Sequence, residues 1–407
     1  MSNKVPQIRF NGYSDAWVQR NLGDITAWTK GQGLPKEDLN EEKSGLEAVH
    51  YADLYKFSPV MHEVIHWTNS DDGRIIPNNS LLFPASDVTP VGLARTSTLK
   101  LSGVKAGGDV IIGQLDESIN SSFMSYQINA TSKKILPLIT GTTVKHIQAK
   151  SLATLSVSVT NMAEQTAIAG LFERIDKLIA ANQRKLDLLK EQKKSYLQKM
   201  FPKNGAKVPE LRFAGFAADW EERKLSDMAN VKTGFPFKNE NFVDDGQYLV
   251  ITNGNIQNDS AFVDGKVGNR ITAVTDEIKE KYTLNYGDIL VTMDGTVGRT
   301  AKVVEGNQIL AQRVGRLVSE STPEFIYQWL NTGKFFTEMT KVSHGGTIKH
   351  ISLSEIGDYV AYVPTSKDER EKIGSLFLNI DKTITLHQRK LDLLKEQKKG
   401  FLQKMFV

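Results

Sequence analysis

Apolar residues recur with helical spacing along two long stretches of the chain. In the first stretch, after Glu164, they are Ile168, Leu171, Ile175, Leu178, Leu186 and Leu189. In the second stretch they are Ile373, Leu376, Ile380, Ile384, Leu391 and Leu394. Steps of three and four residues place such side chains on one face of a helix, as in the seam of a coiled coil. The pattern therefore predicts two long helices with one apolar stripe each.

Each stripe contains one polar residue at an equivalent position, Asn182 in the first and His387 in the second. A polar seam residue can fix the register of two packed helices. Residues 164–200 would form a helix of about 55 Å, ended by Pro202. A helix of that length with one apolar stripe needs a partner, so the two helices are predicted to pack on each other. Ser366 or Thr365 is the predicted cap of the second helix.

The two helices are also copies of each other. Residues 183–194 and 388–399 both read QRKLDLLKEQKK, and residues 197–201 and 402–406 both read LQKMF. A second pair of similar segments lies at the start of the two halves: VPQIRFNGYSDAWVQRNL begins at Val5 and VPELRFAGFAADWEERKL begins at Val208. The chain is thus two copies of one unit with similar ends and dissimilar middles. This organisation indicates one shared docking role and two different recognition roles.

Between lead-in and helix, each half has a body whose pattern mixes short strands and helices. In the second body we predict strands at 248–252, 288–292 and 301–304 and helices at 323–331 and 334–341. In the first body we predict strands at 60–67, 80–83 and 109–113 and a helix near 122–128. The predicted class is mixed α/β, of the α+β type. The predicted division is 1–160, 161–203, 204–366 and 367–407, alternating body and helix.

Composition excludes several functional classes. A chain of 407 residues fits two domains. The absence of cysteine excludes a disulfide scaffold, a thiolate zinc site and a cysteine nucleophile. We expect no secretory leader and no membrane-spanning segment, and therefore a cytoplasmic protein.

The distribution of charge says more than its total. The chain carries a net charge of +4, and each of the segments 183–201 and 388–406 carries +4 by itself. The remainder is therefore net negative, at −4. If the bodies bind nucleic acid, they do so through local patches, and non-specific attraction to phosphate should be modest.

One segment matches a catalytic motif. His62, Glu63 and His66 form the H-E-x-x-H pattern of zinc peptidases, which requires a helix. The surrounding Pro59, Val64, Ile65 and Trp67 favour a strand, so we interpret the match as chance. No phosphate-binding loop, dinucleotide fingerprint, amino-methyltransferase motif or nuclease core occurs in the sequence, and we expect neither a catalytic residue nor a metal site.

The two bodies share a fainter correspondence. Residues 80–92 line up with 288–298, a strand running into a polar loop. Residues 141–147, GTTVKHI, line up with 345–351, GGTIKHI. A Gly/Thr turn lets backbone approach a phosphate, and Lys supplies charge. For His146 and His350 we favour the simpler interpretation, a turn that leads into a buried strand with the imidazole hydrogen-bonded to backbone.

Together these elements resemble the specificity subunits of type I restriction-modification systems. The resemblance covers essentially the whole chain and rests on the duplicated VPxxRFxG…W lead-in, on YGDILVTMDGTVG and GGTIKHI in the second body, and on the repeated FxxIDKxI…QRKLDLLKEQKK helix. The first body departs most, with NNSLLFPASDVTP in place of the GDILV…GTVG form.

The resemblance implies two target-recognition domains joined by long antiparallel helices, with an internal pseudo-twofold repeat. Each domain would read one half of a split, asymmetric site in double-stranded DNA. The helices would measure the unread spacer and carry two modification subunits. S-adenosylmethionine, ATP and Mg would belong to the modification and restriction subunits, with no cofactor on this chain. A length of about 55 Å corresponds to roughly 16 base pairs, an upper bound on the distance between half-sites.

For base contact we favour polar and charged loop residues that can reach base edges. In the first body they are Ser86, Asp87, Thr89 and Lys145. In the second body they are Thr233, Phe237, Asn253, Asn255, Asp294, Thr296, Arg299, Arg313 and Lys349. Two alternatives stay open: a coiled-coil adaptor that joins two peptide- or protein-binding domains, and a metallopeptidase acting through His62, Glu63 and His66.

Overall fold

The chain divides into two units that interleave in sequence. The computed structural model describes residues 5–56, 59–203, 205–257, 260–319 and 321–406. One unit comprises Met1–Gln183 with Arg389–Val407, and the other comprises Arg184–Gln388. The predicted division followed chain order, whereas each unit takes the beginning of one long helix and the end of the other.

The first unit contains thirteen described strands, three whole α-helices and a part of each long helix. Its strands are β1 (Val18–Asn21), β2 (Thr26–Lys30), β3 (Leu46–Val49), β4 (Val60–Met61), β5 (His66–Thr68), β6 (Arg74–Ile75), β7 (Ser80–Pro84), β8 (Ser86–Asp87), β9 (Ser97–Leu99), β10 (Lys105–Ala106), β11 (Val110–Leu115), β12 (Lys145–His146) and β13 (Ser156–Val159). Its helices are α1 (Pro90–Leu93), α2 (Ser121–Ala130), α3 (Ala149–Leu152), the first part of α4 (Met162–Lys199) and the last part of the C-terminal helix (Lys367–Met405).

The second unit contains nine described strands, four whole α-helices and a part of each long helix. Its strands are β14 (Glu221–Lys224), β15 (Asn230–Thr233), β16 (Tyr248–Ile251), β17 (Arg270–Ile271), β18 (Ile289–Thr292), β19 (Thr300–Lys302), β20 (Gln308–Leu310), β21 (Val314–Val318) and β22 (Val360–Val363). Its helices are the last part of α4, α5 (Asp276–Tyr282), α6 (Pro323–Leu330), α7 (Lys334–Val342), α8 (Leu353–Gly357) and the first part of α9 (Lys367–Met405).

The two bodies share one sheet topology although their sequences differ. The order β2-β11-β7-β9 in the first unit corresponds to β15-β21-β18-β19 in the second. The order β5-β3-β10 corresponds to β17-β16-β20, with the parallel pair β3/β10 matching the parallel pair β16/β20. In both units the lead-in strand pairs with the strand before the long helix, β1 with β13 and β14 with β22. The mixed α/β class and the internal repeat are thereby confirmed.

The strand predicted at 60–67 is wrong. Residues 60–61 and 66–68 form β4 and β5, which belong to different sheets, and residues 62–65 between them are not a strand. Val64 packs into a core with Val49 and Leu54. The apolar segment therefore connects two sheets and does not form one continuous strand.

The two long helices run antiparallel within each unit. In the first unit, Phe172 of α4 stacks on Phe406 beyond α9 and Asp176 pairs with Lys398. In the second unit, Phe377 of α9 packs near Phe201 and Asp381 pairs with Lys193 at 2.7 Å. Because numbers rise along one helix while they fall along the other, the paired segments are antiparallel.

The observed seam corrects both of the predicted stripes. Leu178 is half exposed, and the seam passes through its half-buried neighbour Ile179, the counterpart of the half-buried Ile384 in α9. Phe172 and Phe377 are fully buried, whereas Leu171 and Leu376 beside them are partly buried against the domain cores. Steps of four and three from Ile168 keep the seam facing the partner over several turns. The remaining seam residues are half-buried or buried; they are Asn182, Leu186, Leu189, His387, Leu391 and Leu394.

Candidate nucleic-acid interface

In the first unit, three segments meet at one edge of the central sheet. β8 follows directly on β7 and pairs with β12, so that Lys145 lies opposite Asp87 and His146 opposite Ser86. Asp109 immediately precedes β11, and the Ser86 hydroxyl donates to its carboxylate at 3.1 Å. We define the first edge cluster as Lys30, Ser86, Asp87, Asp109, Lys145 and His146.

The second unit brings the corresponding segments together. Asp294, just beyond β18, forms a backbone bridge to His350, whose Nδ1 lies 2.6 Å from its Oδ1. Arg313, just before β21, donates to Asp294 Oδ2 at 2.9 Å. The Asp294 carboxylate thus holds both a guanidinium and an imidazole. We define the second edge cluster as Thr233, Asp294, Gly295, Arg313, Lys349 and His350.

Backbone hydrogen bonds establish which positions of the two clusters are equivalent. The N–H of Ala85 donates to the carbonyl of Asp109 at 2.9 Å, and the N–H of Met293 donates to that of Arg313 at 3.3 Å. Ala85 and Met293 then accept from the N–H groups of two isoleucines, Ile147 and Ile351 respectively, at 3.0 and 2.9 Å. Ser86 is therefore equivalent to Asp294, and Asp109 to Arg313.

The GTTVKHI and GGTIKHI segments form the same turn. A backbone bridge closes each one, Thr140 to His146 and His344 to His350. Gly141 and Gly345 adopt φ of +99° and +102°, and a Cβ at either would lie within 2.4 Å of a carbonyl oxygen across the turn. Only glycine fits there without strain. The predicted correspondence between these two segments is confirmed.

The favoured residues of the first body lie around one loop. The N–H of Thr89 donates to Asp87 at 3.2 Å, and the Thr89 hydroxyl accepts from the N–H of Gly92 to cap α1. Lys145 donates to the carbonyl of Gly141 at 2.8 Å. Burial, helped by a hydrogen bond with Asp87, raises the pKa of Tyr55 beneath this loop. Ser86 and Asp87 are half-buried and Thr89 is exposed. The loop is therefore anchored on its protein side and accessible on its solvent side.

In the second body the structure assembles Asp294, Arg313 and Lys349, with Thr233 at the end of the neighbouring β15. Lys349 is exposed, and its carbonyl accepts from Gly295 at 2.8 Å.

Three other candidates lie close to that loop. Asn253 is half-buried and accepts from the N–H of Met293 at 3.3 Å. Thr296 is exposed, whereas Arg299 is half-buried, with a buried Nε that has no hydrogen-bond partner among the described residues.

Two candidates of the second body take part in its internal contacts. Asn255 is 4% exposed, accepts from the N–H and hydroxyl of Thr252, and donates to the carbonyls of Asp264 and Val267. All of its amide hydrogen-bonding groups hold the loop, so the prediction of base contact by Asn255 is corrected. Phe237 packs against Phe235 and Phe242, and a role in the aromatic core fits it better than base contact.

Sequence reasoning missed Lys30 and Asp109. The sequence predicts the strand at 109–113, but the equivalence of this strand to β21 emerges only from the sheet register. Asp109 immediately precedes β11, as Arg313 immediately precedes β21. A strand-by-strand comparison of the two halves could have identified Asp109 from this shared position. Lys30 Nζ lies 3.7 Å from Asp109.

The H-E-x-x-H segment does not form the helix that the zinc motif requires. His66 lies in β5 with Nδ1 2.8 Å from Asp53, while His62 and Glu63 are exposed outside any strand or helix. Across the described ranges, no group of three His, Asp or Glu side chains is arranged to hold a metal ion. Nor does any helix within those ranges have the length and apolar character needed to cross a membrane.

Comparison with known proteins adds independent findings. Residues 14–191 and 217–396 each match the family model described as type I restriction modification DNA specificity domain. The chain is 21% identical over 406 residues to the type I restriction enzyme MjaVIII specificity subunit of Methanocaldococcus jannaschii, covering 95% of this chain and 91% of that protein. It is 20% identical over 402 residues to the EcoBI specificity subunit of Escherichia coli, covering 90% and 80%.

A solved structure shares the fold. The crystal structure of the type I restriction-modification S subunit from M. genitalium matches with a TM-score of 0.72 at 17% identity, covering 99% of both chains. The two family matches span most of this chain and coincide with its two repeated halves. The chain therefore belongs to the type I restriction-modification DNA specificity family, with two specificity domains in tandem.

Proposed function

We propose that this chain selects the DNA sequence for a type I restriction-modification complex, and that each unit reads one half of a bipartite site in double-stranded DNA. The observation that carries the proposal is the pair of edge clusters. They occupy equivalent places on equivalent sheets, yet they present different chemical groups. One scaffold with two sets of polar groups fits two different half-sites, because base edges are distinguished by their donor and acceptor patterns.

The repeated helix segments supply a surface for the modification subunits. Ten solvent-exposed positions of 184–199 are identical to their counterparts in 389–404, among them Arg184, Leu188 and Lys194. Nearer the helix starts, exposed counterparts differ, as in Arg174 and Asn379. Packing constrains buried residues, but it does not explain identity at exposed ones. Two identical surfaces fit two copies of one partner, which we infer to be the modification subunit.

The helices also bound the distance between the half-sites. At 1.5 Å per residue the 38 residues of α4 extend about 57 Å, or roughly 17 base pairs. Restriction subunits would join the same assembly in the cytoplasm.

We infer that this chain performs no covalent chemistry. The modification subunits would supply S-adenosylmethionine and methyl transfer, and the restriction subunits would supply ATP, Mg and cleavage. We further infer that phosphate attraction comes largely from the partners, since the two bodies together carry net negative charge.

Sequence-specific DNA binding with a co-expressed modification subunit tests the proposal. In a gel shift, the complex should slow the migration of a labelled duplex that contains its site. Unlabelled DNA with the same site should compete for binding, whereas unrelated DNA should not. Binding that ignores sequence, together with pull-down of peptides by the bodies, would instead support an adaptor joining peptide-binding domains. The two tandem specificity-domain matches favour the first outcome.

A further inference from the structure

The equivalence of Asp109 and Arg313 gives the two edge clusters opposite hydrogen-bonding character at one shared position. Both residues stand immediately before the central strand, β11 or β21, and both accept a backbone hydrogen bond from the residue before Ser86 or Asp294. Asp109 offers only acceptors when ionised, and Arg313 offers only donors. We propose that this position determines one base of each half-site: Arg313 reads a guanine and Asp109 reads the amino group of a cytosine. The inference rests on the proposed function.

Both side chains are available to DNA. The Arg313 side chain is 59% exposed and that of Asp109 is 51% exposed. Each is also oriented by a neighbour, because Arg313 is held by Asp294 and Asp109 by the hydroxyl of Ser86. An oriented, exposed polar group spends less conformational entropy when it binds than a free one does.

The backbone at Arg313 is strained. Its φ is +68°, in the left-handed region that residues with a Cβ avoid. Backbone hydrogen bonds fix both sides of the position, Gln312 N–H to Phe235 and Met293 N–H to Arg313. Strain that the surroundings hold in place is typical of functional sites, and here it presents a long cationic side chain at the end of a strand.

The chemistry of base edges assigns the bases. The guanidinium of Arg matches the paired O6 and N7 acceptors of guanine in the major groove. The carboxylate of Asp109 matches the N4 amino group of cytosine. Adenine also offers an amino group, but its N7 acceptor beside that group would repel a carboxylate. Both positions are therefore predicted to be G·C pairs, read from opposite strands of the pair.

Asp294 is a positioning residue in this scheme. Its carboxylate accepts from Arg313 and contacts His350, so it directs the guanidinium and does not itself face a base. Replacement by Asn, which keeps the shape but weakens the charge-assisted bond, should relax the same guanine as loss of Arg313, to a smaller extent.

The test maps methylation in a host that expresses the full chain with its modification subunit. Wild type should give a bipartite motif. Arg313→Ala and Arg313→Lys should each relax one G·C position of one half-site, lowering discrimination by about tenfold or more. Asp109→Ala should relax one G·C position of the other half-site. Asp109→Asn should shift that position toward A·T, since an amide pairs with the N6 and N7 of adenine.

Matched controls separate readout from folding and charge. Arg223 is 48% exposed and paired with Glu221 at 2.8 Å, away from the second edge cluster, so Arg223→Ala should leave the motif unchanged. Asp116 is exposed at the opposite end of β11, and Asp116→Ala should do the same. Melting temperature and co-purification with the modification subunit confirm that each variant folds and assembles.

Each outcome decides a different statement. Loss of sequence-specific methylation by the wild type would contradict the proposed function itself. A wild-type bipartite motif that stays unchanged in Arg313→Ala and Asp109→Asn would overturn this inference alone. Relaxation of an A·T position in Arg313→Ala or Asp109→Ala would also overturn the inference. A uniform fall in methylation at every motif would overturn it as well, because that result indicates a phosphate contact.

Discussion

Two buried carboxylates explain why the lead-in segments are repeated. Glu164 accepts from the guanidinium of Arg9 at 2.8 Å and from the indole of Trp17 at 3.2 Å. Glu369 accepts in the same way from Arg212 and Trp220. Each lead-in thereby closes on the first turn of a long helix. Removing one partner of a buried ion pair leaves an unpaired charge, which costs about 3–5 kcal/mol.

The Glu164 pair should make stability depend on pH. Burial opposes its ionisation, but hydrogen bonds from Arg9 and Thr160 outweigh burial and hold the pKa of Glu164 below its ordinary value of 4.5. A carboxyl with a depressed pKa stabilises the folded state fully above its unfolded pKa and loses that contribution as pH falls through the folded pKa. The free energy of unfolding of wild type should therefore fall as pH is lowered below about 4.5.

Chemical denaturation at a series of pH values measures this effect. Glu164→Gln should be less stable near neutral pH by about 3 kcal/mol, because Arg9 loses its charged partner. It should also depend less on pH in the acid range. The exposed Glu117 provides the control, as Glu117→Gln should change neither quantity appreciably. Equal acid slopes for wild type and Glu164→Gln would contradict the assignment.

At the scale of elements, an Asp–Lys pair fixes the register of the paired helices in each unit. Asp381 is 3% exposed; its carboxylate pairs with Lys193 and accepts from Gln328 at 2.9 Å. In the first unit Asp176 pairs with Lys398 and accepts from the hydroxyl of Tyr126 at 2.8 Å. A one-turn slip would separate these charges in a partly buried seam, so the pairs disfavour other registers.

Lys193→Ala should destabilise the second unit by about 1.5–3 kcal/mol, because the buried Asp381 carboxylate loses its shorter ion pair and keeps only Lys302, at 3.9 Å, as a cation. A double-mutant cycle with Asp381→Ala, followed by urea denaturation, should show strong coupling. The exposed pair of Lys367 and Glu371, also on α9, serves as the control and should couple by only about 0.3–0.5 kcal/mol. Similar coupling in both cycles would show that the seam pair does not specify register.

The sequence predicted these helices to within a few residues, because a long amphipathic period is a strong local signal. It misplaced Leu178 because Leu178 and Ile179 are adjacent and both apolar, and only the partner helix decides which one is buried. It also joined 60–67 into one strand, since the turn that separates β4 from β5 depends on distant packing. The sequence did not identify Asp109, because its position at the edge cluster follows from the pairing of β11 with β7, and local sequence patterns do not encode that pairing.

At the scale of the whole molecule, the identical exposed helix surfaces predict the stoichiometry of the complex. Charge reversal by Lys190→Glu with Lys194→Glu should remove one modification subunit, and Lys395→Glu with Lys399→Glu should remove the other. Native mass spectrometry should then count one such subunit in place of two, and none when all four changes are combined. Arg174→Glu, at an exposed position that is not repeated, should retain both. Retention of two subunits by the fourfold variant would place docking elsewhere.

The charge distribution predicts a division of labour in DNA binding. The two bodies, which together carry net negative charge, should bind DNA weakly by themselves, whereas the complex should bind more tightly and with a steeper dependence on salt. Titration of a labelled duplex at several salt concentrations, with and without the modification subunit, measures both slopes. Equal slopes and equal affinities would contradict this division.

The central claim is that two equivalent units with different edge chemistry read two half-sites. Methylation-aware sequencing of a host that expresses this chain with its modification subunit tests it most directly. The account predicts one motif with two specified blocks that differ in sequence, separated by an unread spacer, with centres no more than about 17 base pairs apart. A single uninterrupted motif, or methylation without sequence preference, would contradict it.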